Sequence, residues 1–429
     1  MDLHRSWYLP WISIASLVII VASVTQVMLI PHLLLPNGPA VDIPPQHRPV
    51  SLPIDPTNVS LRLSSGNVVK IYERIEEDRE PLLIHPETIV FDNQGTMYIM
   101  NENAQLVSIT DIKQKTDNDN LHNPIYTAKT TEIADLGVGR PLGGKFDMHG
   151  CLYFADALQG LARICLPSVG ESSSSAKPVV ELIASRVRLE DGTWSPINYA
   201  NDVDIGPKSG HIYFTDSSDI KSDRDDSGLW DTMYASKLEG VRGKRTGRLL
   251  RFIPDTGKVD VLATDVAYAN GVAVNNDETY ILYVSTFECS VMKYHLNGEG
   301  RGPERILDQF TGFLDGLDCS FQRDRCYVAI PSAMSPVVRA IFSLPSLIGI
   351  PIRSFLMKIP RTLTVKAVAY GGVAEIYAGD GINPARIVRL IQDPDGTDIN
   401  MITGVTEHLG KLYLGSLHNN YVSVLTLEY

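Results

Sequence analysis

Six times along this chain a short alternating run of apolar and polar residues leads into a turn and then a second, aromatic-rich run. The copies are ETIVFDNQGTMYIM from Glu87, LGGKFDMHGCLYFA from Leu142, NDVDIGPKSGHIYFT from Asn201, NGVAVNNDETYILYV from Asn270, DGLDCSFQRDRCYVA from Asp315 and ITGVTEHLGKLYLG from Ile402. Period-2 alternation of β-branched and aromatic residues around a Gly, Asp or Asn turn predicts two short strands in each copy. Further strand candidates, such as GRLLRFIP and SVMKYHLNG, lie between the copies. Six units spread over about 350 residues give roughly 58 per unit, the size of a four-stranded blade with generous loops. An eight-stranded barrel does not explain sixfold recurrence, and a β-solenoid repeats on a shorter, stricter period. The pattern predicts an all-β chain folded as a six-bladed β-propeller.

The hydrophobic pattern differs at the N-terminus. From Ser6 to Val41 no acidic or basic side chain occurs apart from His32. Within this stretch Trp11–Ile30, WISIASLVIIVASVTQVMLI, has the ~20 residues needed to cross a hydrocarbon core as one helix. Trp7, Tyr8 and Trp11 suit the interfacial belt. The alternative is a cleaved signal peptide, whose apolar region is usually shorter and ends at a small-x-small site that is not evident here. Either reading sends the remainder into the secretory system, with the endoplasmic reticulum or the plasma membrane as destination and the C-terminal domain lumenal or extracellular. The sequon Asn58-Val59-Ser60 fits that side. The expected division is an anchor over residues 1–35, a proline-rich linker over 36–60, and the propeller over 61–429. Three insertions interrupt the repeats: Asp111–Asn123, Ser168–Lys177 and Ile330–Leu363. The third lies in a span, Arg325–Ala374, without a single Asp or Glu, in which Arg339, Arg353, Lys358 and Arg361 punctuate an apolar background. Such a pattern suits a membrane-interface helix, or a helix packed over one end of the propeller.

Charge and cysteine content narrow the class. A net charge of −12 over 429 residues argues against nucleic-acid partners. Five cysteines (Cys151, Cys165, Cys289, Cys319, Cys326) are too few for a disulfide scaffold. Cys319 and Cys326 are placed to bridge adjacent strands, but all five are expected to be buried thiols.

Aligning the six copies on the last apolar residue of the first run, and stepping back four, gives Glu87, Leu142, Asn201, Asn270, Asp315 and Ile402. In a propeller the innermost strand of each blade faces the central channel, so equivalent positions form a ring. Four of the six carry oxygen-bearing side chains. Carboxylates and carboxamides without Cys or His form a hard donor set that suits Ca²⁺ rather than Zn²⁺. The expected ligands are Glu87, Asn201, Asn270 and Asp315, with Asp315 or Glu87 also activating water. His85 and Glu407 are further catalytic candidates, since His85 stands two residues before Glu87, and His408 and Glu407 fall near the channel by register. His149 and His211 fall in hairpin turns, and Asp156, Asp216 and Ser217 read as blade hydrogen-bonding residues.

The stretches GRPLGGKFD, YANDVDI, IYFTDSSD, TGRLLRFIPDTG, ANGVAV and TEHLGKLYLGSL resemble the strictosidine synthase-like and adipocyte plasma membrane-associated family of calcium-dependent six-bladed propellers. Paraoxonases and gluconolactonases belong to the same superfamily. The resemblance implies a Ca²⁺-dependent hydrolase of the arylesterase or lactonase type, acting on a small-molecule ester or lactone. Two alternatives stay open: a non-catalytic binding scaffold with a structural Ca²⁺, and a lyase condensing an amine with an aldehyde. In strictosidine synthase itself the positions of Asn201, Asn270 and Asp315 cannot ligate, and Glu407 matches its catalytic glutamate. Retention of the three ligands here makes the lyase the least favoured. Leu142 stands where paraoxonases place a catalytic histidine, and Gly316 replaces the Asn that follows their Asp.

Overall fold

The computed structural model describes residues 36–49, 60–62, 68–74, 79–115, 124–167, 178–297, 302–320, 325–361 and 369–427. The expected anchor Trp11–Ile30, the sequon at Asn58 and the loop Ser168–Lys177 lie outside the described residues. Among the described residues no helix is long and apolar enough to cross a membrane. The chain separates into two compact units: one from Met1–Arg48, Lys237–Lys244 and Ser335–Lys366, the other from the remainder.

In the larger unit alternation has produced strands almost throughout. Among the described residues six antiparallel meanders of four strands follow one another in chain order, the fifth extended by Ser60–Arg62 parallel to Arg386–Asp393, with innermost strands Ile89–Phe91, Pro141–Phe146, Ala200–Ile205, Ala269–Val274, Leu317–Cys319 and Gly404–His408. Each sequence repeat supplies the first two strands of one sheet. The sixth sheet takes its outer strand from the other end of the chain: Val68–Glu73 pairs antiparallel with Tyr421–Thr426. That strand also runs parallel to Ile125–Asp135, the outer strand of the first sheet, so the first and sixth are joined. The expected loop at Asp111 begins inside a strand, Gln105–Gln114.

A sheet with alternating faces must cover both with apolar partners, and here each sheet is covered by its two neighbours. Val90 and Leu106 pack with Leu152 and Phe154 between the first and second sheets. Equivalent clusters join the second to the third, the third to the fourth, the fourth to the fifth and the fifth to the sixth. A last cluster, Ile71 and Val422 with Ile89 and Val107, returns from the sixth to the first. The cycle of neighbours is closed and the arrangement is propeller-like. Carboxylates reinforce it near the hub. Asp202 Oδ2 accepts the Val272 N–H at 2.9 Å, Asp204 Oδ2 the Val274 N–H at 2.8 Å, and Asp318 Oδ2 the Glu407 N–H at 2.9 Å, each reaching from one inner strand to another.

The smaller unit contains the apolar and basic insertion. Ser335 starts the helix Pro336–Ser343 by accepting the Val338 N–H, with Pro336 at a position where no backbone donor is needed. A second helix follows over Ser346–Leu356. Arg353, one of the four cations noted in the sequence, is buried and donates to the carbonyls of Val41, Val241 and Arg242. It therefore closes a helix C-terminus and is not available to a lipid surface. Val337, Leu347, Ile348 and Phe355 are exposed on the two helices.

The expectation of five buried thiols is overturned for four of them. Cys151 and Cys165 are joined across adjacent strands of the second sheet, and Cys319 and Cys326 across adjacent strands of the fifth, while Cys289 remains a buried thiol. Neighbouring strands hold opposed side chains close enough to bridge, and sequence spacing alone does not show which cysteines oppose each other. The expected result of thiol titration is no reaction in the native protein and one equivalent after unfolding without reductant.

Candidate metal centre

Local backbone irregularity aims the ring. In the second, third and fourth sheets the ladder between first and second strands jumps from Pro141 to Gly144, from Ala200 to Val203 and from Ala269 to Val272. Each jump is a bulge, holding Leu142-Gly143, Asn201-Asp202 and Asn270-Gly271 out of regular pairing, and a bulge turns side chains away from their usual face. The asparagines sit two residues before regular pairing resumes. By the same rule Glu87, before Ile89, and Asp315, before Leu317, are ring positions, while in the sixth sheet pairing begins at Gly404 without a bulge and the channel-lining residue before it is Thr403. Alignment of the sequence repeats puts Ile402 here instead. Ile402 is fully buried among apolar residues between the fifth and sixth sheets. A one-residue slip moves a side chain to the opposite face of a strand, which is why the apolar match misleads.

Glu87, Asn201, Asn270 and Thr403 line one channel cavity of about 150 Å³, together with Gly316 beside Asp315. Glu87, Asn201, Asn270 and Thr403 are 4%, 5%, 3% and 1% exposed, so water does not solvate them freely. Asp315 hydrogen-bonds the Asn270 side chain and feels the charges of Glu87 and Asp202. Burial pushes the Glu87 carboxyl up to about 8, with the Arg140 guanidinium opposing and Asp202 adding to the shift. Burial, then Glu87, holds Asp315 well above the usual carboxylate range. Glu87 Oε2 and Asn270 Oδ1 are buried acceptors without a hydrogen-bond partner. Two carboxylates that repel each other, and two oxygens lacking any donor, are what a site for a hard divalent cation presents. Among the described residues no three His, Cys, Asp or Glu side chains gather as a metal cluster. The donors here are two carboxylates supplemented by two carboxamides and a hydroxyl.

The remaining candidates separate by depth. Glu407 lies four residues along its strand from Thr403, about 13 Å at ordinary strand rise. Its Oε1 accepts the Gly410 N–H at 2.8 Å in the hairpin turn. His408, next to it, stacks on Phe91 at 3.9 Å, and burial lowers its pKa. Both line the channel away from the ring. His85, two residues before Glu87, is not among the residues that line this cavity. Its Nδ1 meets Glu102 Oε2 at 2.6 Å. Asp216 and Asp156 are buried and hold backbone, as expected: Asp216 Oδ1 accepts the Tyr199 N–H at 2.9 Å, and Asp156 Oδ1 accepts from Leu158 and Gln159. His149 is exposed in its turn.

The strictosidine synthase family is matched over residues 201–299, a span that holds both ring asparagines. Strictosidine synthase-like 10 of Arabidopsis thaliana is 28% identical over 291 residues, covering 67% of this chain and 70% of that protein. The chain is similar to the strictosidine synthase-like proteins. Adipocyte plasma membrane-associated protein of Gallus gallus is 26% identical over 388 residues, covering 88% of this chain and 85% of the relative. Among solved structures, a gluconolactonase from Xanthomonas campestris aligns with a TM-score of 0.48 at 12% identity, over 81% of this chain and 88% of that one. Regucalcin, a calcium-binding protein from Agrobacterium tumefaciens, aligns with a TM-score of 0.45 at 15% identity, over 84% and 95%.

Two residues ahead of each ring residue stands a second set of positions, of which sequence reasoning singles out only His85: His85, Arg140, Tyr199, Tyr268, Phe313 and Met401. Arg140 Nη2 donates to the His85 carbonyl at 3.3 Å. Tyr199 and Tyr268 rings meet at 5.4 Å, Tyr268 and Phe287 at 5.3 Å, and Phe287 and Phe313 at 5.5 Å. Tyr268 has a φ of 66°, a left-handed conformation that costs a bulky residue of order 1–3 kcal/mol and is retained where the surroundings impose it. The repeated YAN before each asparagine was the available signal.

Proposed function

We propose that this is a membrane-anchored, Ca²⁺-dependent ester or lactone hydrolase built on a six-bladed propeller. The observation that carries the reading is the pair of buried, unpartnered acceptors, Glu87 Oε2 and Asn270 Oδ1, beside the Glu87–Asp315 carboxylate pair. Glu87, Asn201, Asn270 and Asp315 would hold the ion, with Thr403 adjoining. Bound there, Ca²⁺ would supply Lewis-acid polarisation of an ester carbonyl. Carboxylates engaged with a cation are weak bases, so the role given to Asp315 and Glu87 from sequence passes to His85. Its Nδ1–H donates to Glu102, which leaves Nε2 to take the proton of an attacking water. Tyr199, Tyr268 and Phe313 would wall the ester off from bulk water. The two disulfides support an oxidising compartment, and so the secretory destination expected from the N-terminus. The exposed side chains Val337, Leu347, Ile348 and Phe355 support contact of the insertion with a membrane surface.

Phenyl acetate hydrolysis by the full chain tests the reading. Activity should vanish with chelator and return with added Ca²⁺, and His85→Gln should lower kcat by about 100-fold while calcium still binds. No hydrolysis at any Ca²⁺ concentration would favour the scaffold reading. That rival draws support from Asp202, Asp204 and Asp318, channel carboxylates that accept backbone N–H groups of neighbouring inner strands. The lyase reading needs Glu407 at the reacting centre, and the hydrogen bond that ties its carboxylate to the Gly410 N–H of the hairpin opposes this.

A further inference from the structure

Arg140 is the one cation in the layer of side chains that precedes the ring. It is 1% exposed, yet its Nε and Nη1 have no acceptor, and only Nη2 is engaged, by the His85 carbonyl. A guanidinium keeps its charge in any protein interior, and leaving its N–H groups unmet costs more than leaving a neutral donor so. Its electrostatic neighbours are Glu87, Glu102, Tyr199 and Asp156, and none of the three carboxylates forms an ion pair with it within the described residues. Around the same level the layer continues as Tyr199, Tyr268, Phe287 and Phe313, a row of aromatic rings in mutual contact. Phe287, Phe313, His85 and Met401 are partly exposed, so these members of the layer meet solvent. A planar cation with free donors beside aromatic faces is a receptor for an aromatic or aliphatic group that carries an oxyanion.

We propose that Arg140 makes this layer a binding site for carboxylates, so that the substrate of the hydrolase is an ester or lactone bearing a carboxylate. The inference deepens the hydrolase reading and rests on it for the word substrate, but the binding of a carboxylate does not. In the metal-free protein Glu87, the first electrostatic neighbour of the guanidinium, competes with an incoming anion for it. With Glu87 engaged by a divalent cation, the guanidinium is free to pair with the ligand.

The test is calorimetric titration of benzoate, and of its neutral isostere benzamide, into the full chain with and without Ca²⁺. The expected result is benzoate binding at least about tenfold tighter than benzamide in Ca²⁺, and weaker without it. Arg140→Gln should erase the preference and Arg140→Lys should restore part of it, each variant being checked for native circular dichroism. Equal binding of the two ligands by the unaltered chain, or a preference that survives Arg140→Gln, would overturn the proposal. Should Arg140→Gln not fold, the comparison of the two ligands on the unaltered chain still decides. No turnover is read, so an inactive protein that prefers benzoate refutes the hydrolase alone. An active one without the preference refutes the carboxylate site alone.

Discussion

Asp315→Asn lowers calcium affinity by more than about 100-fold, because even residues that only support a ligand typically cost 10–100-fold when changed. Asn270→Ala has a similar effect, since it removes both the unpartnered Oδ1 and the partner of Asp315. Glu407→Gln leaves calcium affinity within about threefold, its carboxylate being bound into the hairpin at Gly410. Titration calorimetry distinguishes the three. The pH dependence follows from burial. The Glu87 carboxyl is pushed up to about 8, so it holds its proton near neutrality in the metal-free chain, and burial holds Asp315 well above the usual carboxylate range. A raised carboxyl pKa contributes stability that is present below the unfolded value and lost as pH rises through the folded one. Without metal, stability therefore declines as pH rises toward about 8. Calcium must displace these protons, so its affinity falls as pH is lowered from about 8 to about 6, with protons released on binding.

The second large effect is steric. Gly404 opens the inner strand of the sixth sheet, where an added Cβ would lie 2.0 Å from the Glu87 carbonyl oxygen and 2.9 Å from its carbon. Both are backbone atoms of the segment leading into a neighbouring inner strand, and neither is the end of a flexible side chain that could yield. Gly404→Ala should destabilise by about 3 kcal/mol or more, at the upper end of overpacking costs, and displace Glu87 with it. Gly257 is the control: its φ is 66° and an added Cβ would meet nothing within 4 Å, so Gly257→Ala costs about 1 kcal/mol of backbone strain alone. Thermal unfolding read by circular dichroism should separate the two, and calcium affinity should fall only for Gly404→Ala.

What can be read from the sequence depends on what each signal encodes. Alternation and turns report the six hairpins correctly because a sheet face must be apolar wherever it is covered, as Phe154 and Phe214 are. The oxygen donors are visible because Glu87, Asn201, Asn270 and Asp315 interrupt that alternation. The bulges that aim two of them are not visible, since nothing in YANDV or YANGV says that two residues leave the ladder. The alignment of repeats slips at Ile402 and misses Thr403 because that run ends in Thr406-Glu407-His408, with no apolar residue to mark its end. Arg140 escapes notice because its role depends on burial beside Glu87, a relation across two sheets. The disulfides escape because strand opposition, not spacing, pairs Cys151 with Cys165. The helix Thr232–Arg242 is not anticipated, its apolar residues being too few for a periodic signal.

The most direct test is an anomalous difference map from crystals of the full chain grown with calcium. One peak is expected in the channel, with oxygens of Glu87, Asn201, Asn270 and Asp315 at about 2.3–2.6 Å. A channel without a peak at saturating calcium, or a peak bound by Asp202, Asp204 and Asp318 with the ring residues turned away, would contradict the calcium site.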